Sequence, residues 1–169
     1  MKKGPYKASR RSAKYISECH TLLRPLVYGM LNYVDLTVTC GYRSPKTQDK
    51  LYNTIMNGKR VTNARGGQSK HNIKPSLAID VVIYLHGDKN TKRGISWNKL
   101  NAYMLAGRMQ QLADMMYGKG IIRVGSDWDQ DNDASDQNLH DPFHIEVIDE
   151  DFIPDQARVD YILSLDIWY

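Results

Sequence analysis

The apolar residues near the N-terminus recur at helical spacing. From residue 12 to residue 33 they stand three or four positions apart, which predicts a helix. Pro25 falls inside this stretch, and we expect a kink or a break there because proline lacks the N–H that a helix interior needs. The segment 36–40 is rich in β-branched residues and predicts a strand.

Capping signals and apolar runs predict the elements that follow. Ser44 as N-cap and Pro45 at the first helical position predict a helix that ends near Met56. The remaining predicted elements are a loop over 57–76, a strand over 77–85, a helix from the N-cap Ser96 to Tyr117 that Gly118 ends, strands over 121–124 and 143–147, and a helix over 154–166. Helices that pack on a small, mostly antiparallel sheet make this an α+β fold.

Composition places the chain among ordinary globular domains. Its 169 residues are 41% hydrophobic and 25% charged, which fits one domain with a single core over residues 1–169. No apolar run approaches the roughly 18 residues that cross a bilayer, and no apolar segment follows the basic start, so we expect no signal peptide. Cys19 and Cys40 stand alone in apolar patterns, and we expect both to be reduced core thiols.

Charge is distributed unevenly along the chain. The formal net charge is +4, with a basic N-terminal arm over about residues 1–11 and an acidic stretch over 127–160 in which Arg158 is the only lysine or arginine. The arm suggests an anionic partner such as a wall polymer, lipid headgroups or nucleic acid, or else it is a solvated terminus. Because the acidic stretch would repel phosphate, we expect no nucleic-acid partner.

Two histidines and one aspartate are the candidate metal ligands. Asp80 stands in the middle of an apolar strand, where an unpaired carboxylate is costly unless a cation or hydrogen bonds satisfy it. His71 precedes it by one loop, and His144 lies on another strand, on the same face as Glu146. Two imidazoles and a carboxylate form a known ligand set of catalytic zinc, with a fourth position left for water. The alternatives are an arginine or lysine partner for the carboxylate and purely structural histidines.

Three separated motifs carry a resemblance to a known superfamily. They are Gly41-Tyr42-Arg43-Ser44 with Gln48, Ser69-Lys70-His71 with Ala78-Ile79-Asp80, and Asp141-Pro142-Phe143-His144 with Glu146. In this order they resemble the D-alanyl-D-alanine metallopeptidases, whose fold is shared with the Hedgehog signalling domain. Within that superfamily the chain looks most similar to phage endolysins that are L-alanyl-D-glutamate endopeptidases. The resemblance covers about residues 41–147 and implies the same α+β fold.

The resemblance also implies a role for each matching residue. His71, Asp80 and His144 would bind one catalytic zinc ion. Asp141, three residues before the last ligand, would be the general base. Arg43 would bind the carbonyl oxygen of the substrate as negative charge builds on it.

Three further residues would support this machinery. Gln48 would assist the arginine in catalysis, while Ser69 and Glu146 would hold the zinc ligands from behind, the latter by a hydrogen bond to a ligand imidazole. His140 and Glu146 stay open as alternatives to Asp141 in the role of base, because all three lie within a few residues of one another.

An acidic loop over 127–138 carries carboxylates at alternate positions: Asp127, Asp129, Asp131 and Asp133. This spacing resembles the oxygen ligands of an EF-hand calcium loop, although the glycine and the final glutamate of that motif are absent. Two interpretations are open, a regulatory calcium site and a solvated acidic loop.

The resemblance implies a phage-type endolysin: a zinc peptidase that hydrolyses the stem peptide of peptidoglycan, at the L-alanyl-D-glutamate bond. A D-alanyl-D-alanine dipeptidase or carboxypeptidase with the same site is the first alternative. A non-catalytic zinc- and calcium-binding interaction module is an alternative of another class. We expect a monomer that stays in the host cytoplasm without a signal peptide, acts on the cell wall after release, and uses its basic arm on an anionic wall or membrane surface.

Overall fold

Five helices and seven strands make up the part of the chain that the computed structural model describes, residues 6–56, 58–88 and 92–165. The helices are α1 (Arg10–Ser17), α2 (Leu23–Met30), α3 (Pro45–Asn53), α4 (Lys99–Tyr117) and α5 (Gln156–Ser164). The strands are β1 (Leu36–Cys40), β2 (Ile55–Met56), β3 (Lys59–Arg60), β4 (Ala78–Leu85), β5 (Gly94–Ile95), β6 (Ile122–Gly125) and β7 (Asp141–Val147).

The main sheet has the strand order β1-β4-β7-β6, and β5 pairs with the far end of β4. Every neighbouring pair in it is antiparallel, while β2 and β3 form a separate hairpin. The predicted α+β class with a mostly antiparallel sheet is therefore confirmed. The order matters for the site, because β4 and β7 are not consecutive in the chain yet lie side by side in the middle of the sheet.

Local signals place most helix ends correctly. The helix predicted across Pro25 is broken into α1 and α2, and Pro25 sits in the first turn of α2, where its missing N–H costs little. Ser44 caps α3 by accepting a hydrogen bond from the backbone N–H of Thr47. That helix ends at Asn53, earlier than predicted, because the next residues turn into β2.

One predicted cap is wrong. Asn98, not Ser96, is the N-cap of α4, and its side chain accepts from the backbone N–H of Asn101. The hydroxyl of Ser96 instead accepts from the side-chain amide of Asn101 at 2.9 Å. Asn101 is the residue whose backbone N–H bonds to the cap, so Ser96 stabilises the first turn indirectly. Gly118 ends the helix as predicted, with a φ of 92° that glycine adopts without strain.

The hydrophobic core lies between the helices and one face of the sheet. Ile79 and Val81 of β4 and Ile145 of β7 belong to it, together with the buried faces of α1, α2 and α4. Because side chains alternate across a strand, Asp80 and His144 point to the opposite face. The helix layer thus fixes the sheet and leaves its other face for chemistry.

The described part of the predicted basic arm, residues 6–11, belongs to the folded domain. Residues 1–5 lie outside the described residues, but the backbone N–H of Tyr6 donates to Leu31 O at 2.8 Å and Ala8 packs against the core. Arg10 and Arg11 already belong to α1. Among the described residues, no helix combines the length and the apolar character that crossing a membrane requires.

Candidate metal centre and cleft

A short 3-10 turn, Lys70–Asn72, brings His71 to the open face of the sheet. Ser69 caps this turn, because its hydroxyl accepts from the backbone N–H of His71 at 3.3 Å. The turn is tied to the loop after β1, since the Arg43 N–H donates to His71 O at 2.8 Å and Asn72 donates to Arg43 O at 2.7 Å. The motifs around Arg43 and His71 are therefore one structural unit.

The three predicted ligands converge. Asp80 and His144 are direct register partners in the β4–β7 pair. Asp80 Oδ1 lies 3.1 Å from His71 Nε2 and 3.2 Å from His144 Nδ1, and the two imidazole nitrogens are 3.3 Å apart. Ligands at about 2.0–2.1 Å in a tetrahedral zinc site are roughly 3.3–3.4 Å apart. The three atoms fit one face of such a tetrahedron.

Hydrogen bonds behind the imidazoles direct these nitrogens toward the shared centre. His71 Nδ1 lies 2.7 Å from Gly41 O, so it carries the proton and leaves Nε2 free to act as a ligand. His144 Nε2 lies 2.9 Å from Glu146 Oε2, so the same argument leaves Nδ1 free. Glu146 is thus placed behind an imidazole, where the sequence predicted it.

The cluster is strongly coupled electrostatically. Burial opposes a charge on His71, but the Asp80 carboxylate outweighs it and raises the pKa of His71 to about 10. Burial likewise opposes a charge on His144, while hydrogen bonds to Asp80 and Glu146 raise its pKa to about 9. Burial would raise the pKa of Asp80, yet both imidazoles hold it far below its ordinary value. The metal-free site therefore carries protons that a cation would displace.

Cys40 is a residue that the sequence interpretation placed wrongly. Both cysteines are free, and Cys19 is buried as predicted, but Cys40 is half-buried at the end of β1 rather than in the core. Cys40, His71 and Asp80 each offer a ligand atom within 4.8 Å of the others, so this trio could also hold a metal ion. Its position at the end of a strand, directly before the Gly41-Tyr42-Arg43 motif, could have indicated that Cys40 lies near the site.

Arg43 lies at the edge of this cluster. One of its terminal nitrogens, Nη2, is 3.2 Å from both Asp80 Oδ2 and Cys40 Sγ, and the other, Nη1, donates to Gln48 Oε1 at 2.9 Å. Gln48 is fully buried, and its amide donates to Ala64 O at 2.9 Å. The glutamine is therefore behind the arginine and out of reach of a substrate.

Asp141 is the half-buried first residue of β7. Burial, followed by the nearby Asp80 charge, raises the pKa of Asp141 above its ordinary value. Of the two alternatives for the base, His140 is exposed with its Nδ1 2.8 Å from the Tyr103 hydroxyl. Glu146 is held by His144 and by Arg123.

A cleft of about 660 Å³ opens over these groups. Arg43, Asp141, Trp128 and Leu139 line it, as do the three predicted ligands. A second cavity of about 790 Å³ lies beside α4 and the acidic loop and contains none of the three ligands. The first cleft is thus the place where a substrate would meet the cluster.

The acidic loop is ordered by its own hydrogen bonds. Carboxylate oxygens of Asp127, Asp129 and Asp131 lie within 4.8 Å of one another, whereas Asp133 accepts from the N–H and the hydroxyl of Ser135. Asp127 Oδ1 is buried and has no hydrogen-bond partner among the described residues. Three of the four predicted carboxylates are therefore together.

A donor set of this kind at the base of an open cleft, with an arginine and a second acid beside it, is typical of metal-dependent hydrolases. Sequence comparison gives the particular family. Residues 5–148 match the family described as phage L-alanyl-D-glutamate peptidase, and the chain belongs to that family. The family predicted from the three motifs is thereby confirmed.

Two individual proteins are similar over different lengths. A segment of 52 residues is 46% identical to the peptidoglycan L-alanyl-D-glutamate endopeptidase CwlK of Bacillus subtilis (strain 168), and it covers 30% of each chain. The chain thus matches under a third of that relative. The crystal structure of the L-Ala D-Glu endopeptidase ChiX of Serratia marcescens superimposes with a TM-score of 0.56, over 85% of this chain and 90% of that one, at 21% identity. At this identity the likeness confirms the fold.

Proposed function

We propose that this protein is a zinc-dependent endopeptidase that hydrolyses the L-alanyl-D-glutamate bond of peptidoglycan stem peptides. The observation that carries the proposal is the convergence of His71 Nε2, Asp80 Oδ1 and His144 Nδ1 within 3.3 Å of one another at the base of a cleft. Membership in the phage L-alanyl-D-glutamate peptidase family supplies the substrate class.

His71, Asp80 and His144 are preferred over the trio that contains Cys40. Each imidazole has its other nitrogen hydrogen-bonded to an acceptor, as metal-binding histidines almost always do. The single ligand atom of Cys40, Sγ, faces the Arg43 guanidinium at 3.2 Å. Asp80 meets that guanidinium through Oδ2 and keeps Oδ1 toward both imidazoles. Exclusion of the thiol also keeps the fourth position free for water.

Zinc at this site would supply a bound water with a pKa near 7 and would polarise the scissile carbonyl. Asp141 lines the same cleft, and its raised pKa suits a base that takes the proton of the attacking water and passes it to the leaving amine of D-glutamate. Arg43 donates to the carbonyl oxygen as charge builds on it. Gln48 positions Arg43, since it is buried behind the guanidinium.

Digestion of purified peptidoglycan tests the reaction. We expect new N-terminal glutamate and released fragments whose masses correspond to cleavage after L-alanine, abolished by a chelator and restored by zinc. Release of D-alanine or its dipeptide would support the D-alanyl-D-alanine peptidase instead. Zinc binding without any cleavage would support the non-catalytic module.

The acidic loop stays a predicted calcium site, with Asp127, Asp129 and Asp131 as the candidate ligands. The loop reaches the centre through Trp128, whose ring lies 5.5 Å from that of His144. Calcium should raise the melting temperature of the zinc-loaded protein, and Asp129→Asn should remove that rise. An unchanged melting temperature and activity would leave only a solvated acidic loop.

We place the site of action at the cell wall, with peptidoglycan as partner of a monomer.

A further inference from the structure

The structure assigns Arg123 as a positioning residue that holds His144 in its metal-binding orientation. This inference rests on the proposed function, since it takes His144 to be a zinc ligand. Arg123 belongs to β6, and its register partner across the β6–β7 pair is Glu146. It therefore stands one strand away from the candidate ligand and reaches it only through other groups.

The first connection runs through Glu146. Arg123 Nε and Nη2 both donate to Glu146 Oε1, at 3.0 Å and 2.7 Å, while the other carboxylate oxygen, Oε2, is 2.9 Å from His144 Nε2. The two oxygens of one buried carboxylate thus have separate partners. The guanidinium holds Oε1, and the carboxylate fixes the orientation and the proton of the imidazole through Oε2.

The second connection runs through Trp128. Arg123 Nη1 donates to Trp128 O at 3.1 Å, and the guanidinium lies over the indole with its carbon 5.2 Å from the ring centroid. The same indole packs on His144, with 5.5 Å between centroids and an interplanar angle of 36°. Arg123 therefore restrains two neighbours of one imidazole, at its Nε2 edge and on its ring face.

Lysine does not reproduce this arrangement. The contacts require three donors in the fixed plane of a guanidinium, two toward the carboxylate and one toward the Trp128 carbonyl. An ammonium would keep the charge beside Glu146 but lose the simultaneous bond to Trp128 O. We therefore expect zinc affinity to decrease in the order wild type, Arg123→Lys, Arg123→Gln.

The test is the zinc dissociation constant, measured by competition between the purified protein and a chromophoric chelator. We expect Arg123→Gln to raise it by about tenfold, the lower end of the 10–100-fold cost of losing a partner of a ligand, because Arg123 acts one group further out. Arg123→Lys should lie between this variant and the wild type. Arg93→Gln is the matched control, since Arg93 also donates to a neighbour and lies over an aromatic ring, that of Tyr84, away from the cluster.

Urea unfolding of the metal-free variants separates positioning from mere stabilisation. A variant that is less stable without metal yet binds zinc like the wild type would overturn the inference. If Arg123→Gln does not fold, the zinc affinity of Arg123→Lys is measured instead. A wild-type affinity of that variant would also overturn the inference. A wild-type protein that binds no zinc would instead overturn the proposed function, and this inference with it.

Discussion

Asp80 on β4 and His144 on β7 are direct cross-strand partners, and Asp80 Oδ1 lies 3.2 Å from His144 Nδ1. Two residues 64 positions apart are thus brought together by the register of a single antiparallel pair. His71 joins them from the Lys70–Asn72 turn, which is not part of the sheet. The candidate metal centre is therefore where the middle of the sheet meets one capped turn.

The choice between the two possible ligand sets can be made with two substitutions. His144→Ala removes a ligand in the set that we propose. We expect the zinc dissociation constant to rise more than about 100-fold, because loss of a residue that only hydrogen-bonds a ligand already raises it by about 10–100-fold. Cys40→Ser should bind zinc as the wild type does. The measurement is metal content after dialysis together with chelator competition. The reverse pattern, with Cys40→Ser losing zinc, would assign the site to Cys40, His71 and Asp80.

Replacement of the proposed base should separate metal binding from turnover. Asp141→Asn keeps the size of the side chain but cannot take a proton at neutral pH, so we expect kcat to fall by about 10²–10⁴-fold. Zinc content should be unchanged, because Asp141 is outside the ligand set. Rates of stem-peptide cleavage at saturating substrate provide the measurement. Near wild-type turnover would contradict the assignment of Asp141 as the base.

Zinc binding should depend on pH in a defined direction. The pKa values of His71 and His144 in the metal-free protein are raised to about 10 and about 9. Both side chains are therefore imidazolium cations at neutral pH. Binding near pH 7 should therefore release on the order of one to two protons, and apparent affinity should increase as the pH rises from 6.5 toward 9. Calorimetry in buffers of different ionisation enthalpy counts the protons. Equal affinity at pH 6.5 and 8.5 would contradict the prediction.

Gly125 is a site where an added methyl group should disturb the cleft. It pairs with Asp141 at the irregular end of the β6–β7 ladder, and a Cβ built on it would lie 2.9 Å from the Trp128 ring and too close to the Asp141 carbonyl. We expect Gly125→Ala to lower the free energy of unfolding by about 1–3 kcal/mol and to slow cleavage.

Gly107 provides the control for this substitution. It lies inside α4, and a Cβ there would meet nothing within 4 Å. Gly107→Ala should raise the free energy of unfolding by about 0.5–1 kcal/mol, because alanine loses less backbone freedom in a helix. Urea titrations of both variants make the comparison. If Gly125→Ala were as stable as the wild type, β6 and β7 would have to be less tightly packed than the structure shows.

Local sequence determined most elements and the face on which each candidate ligand lies. Ser44 and Pro45 begin α3, Pro25 stands in the first turn of α2, and strand alternation puts Asp80 opposite Ile79. These features depend on neighbours a few residues away, so patterns along the chain reveal them. The cap of α4 is the exception, since serine and asparagine are both good caps two positions apart and only packing chose between them.

The tertiary structure alone decided which side chains meet. Alternation has a period of two, so it gives the face of Asp80 and of His144 but not the register that makes them partners, and a slip of one residue would move one of them to the core. The places of Cys40 beside the cluster, Gln48 behind Arg43, and Arg123 behind Glu146 likewise depend on contacts between distant strands and loops. Sequence thus specified the groups that can do the chemistry, and long-range pairing specified their arrangement.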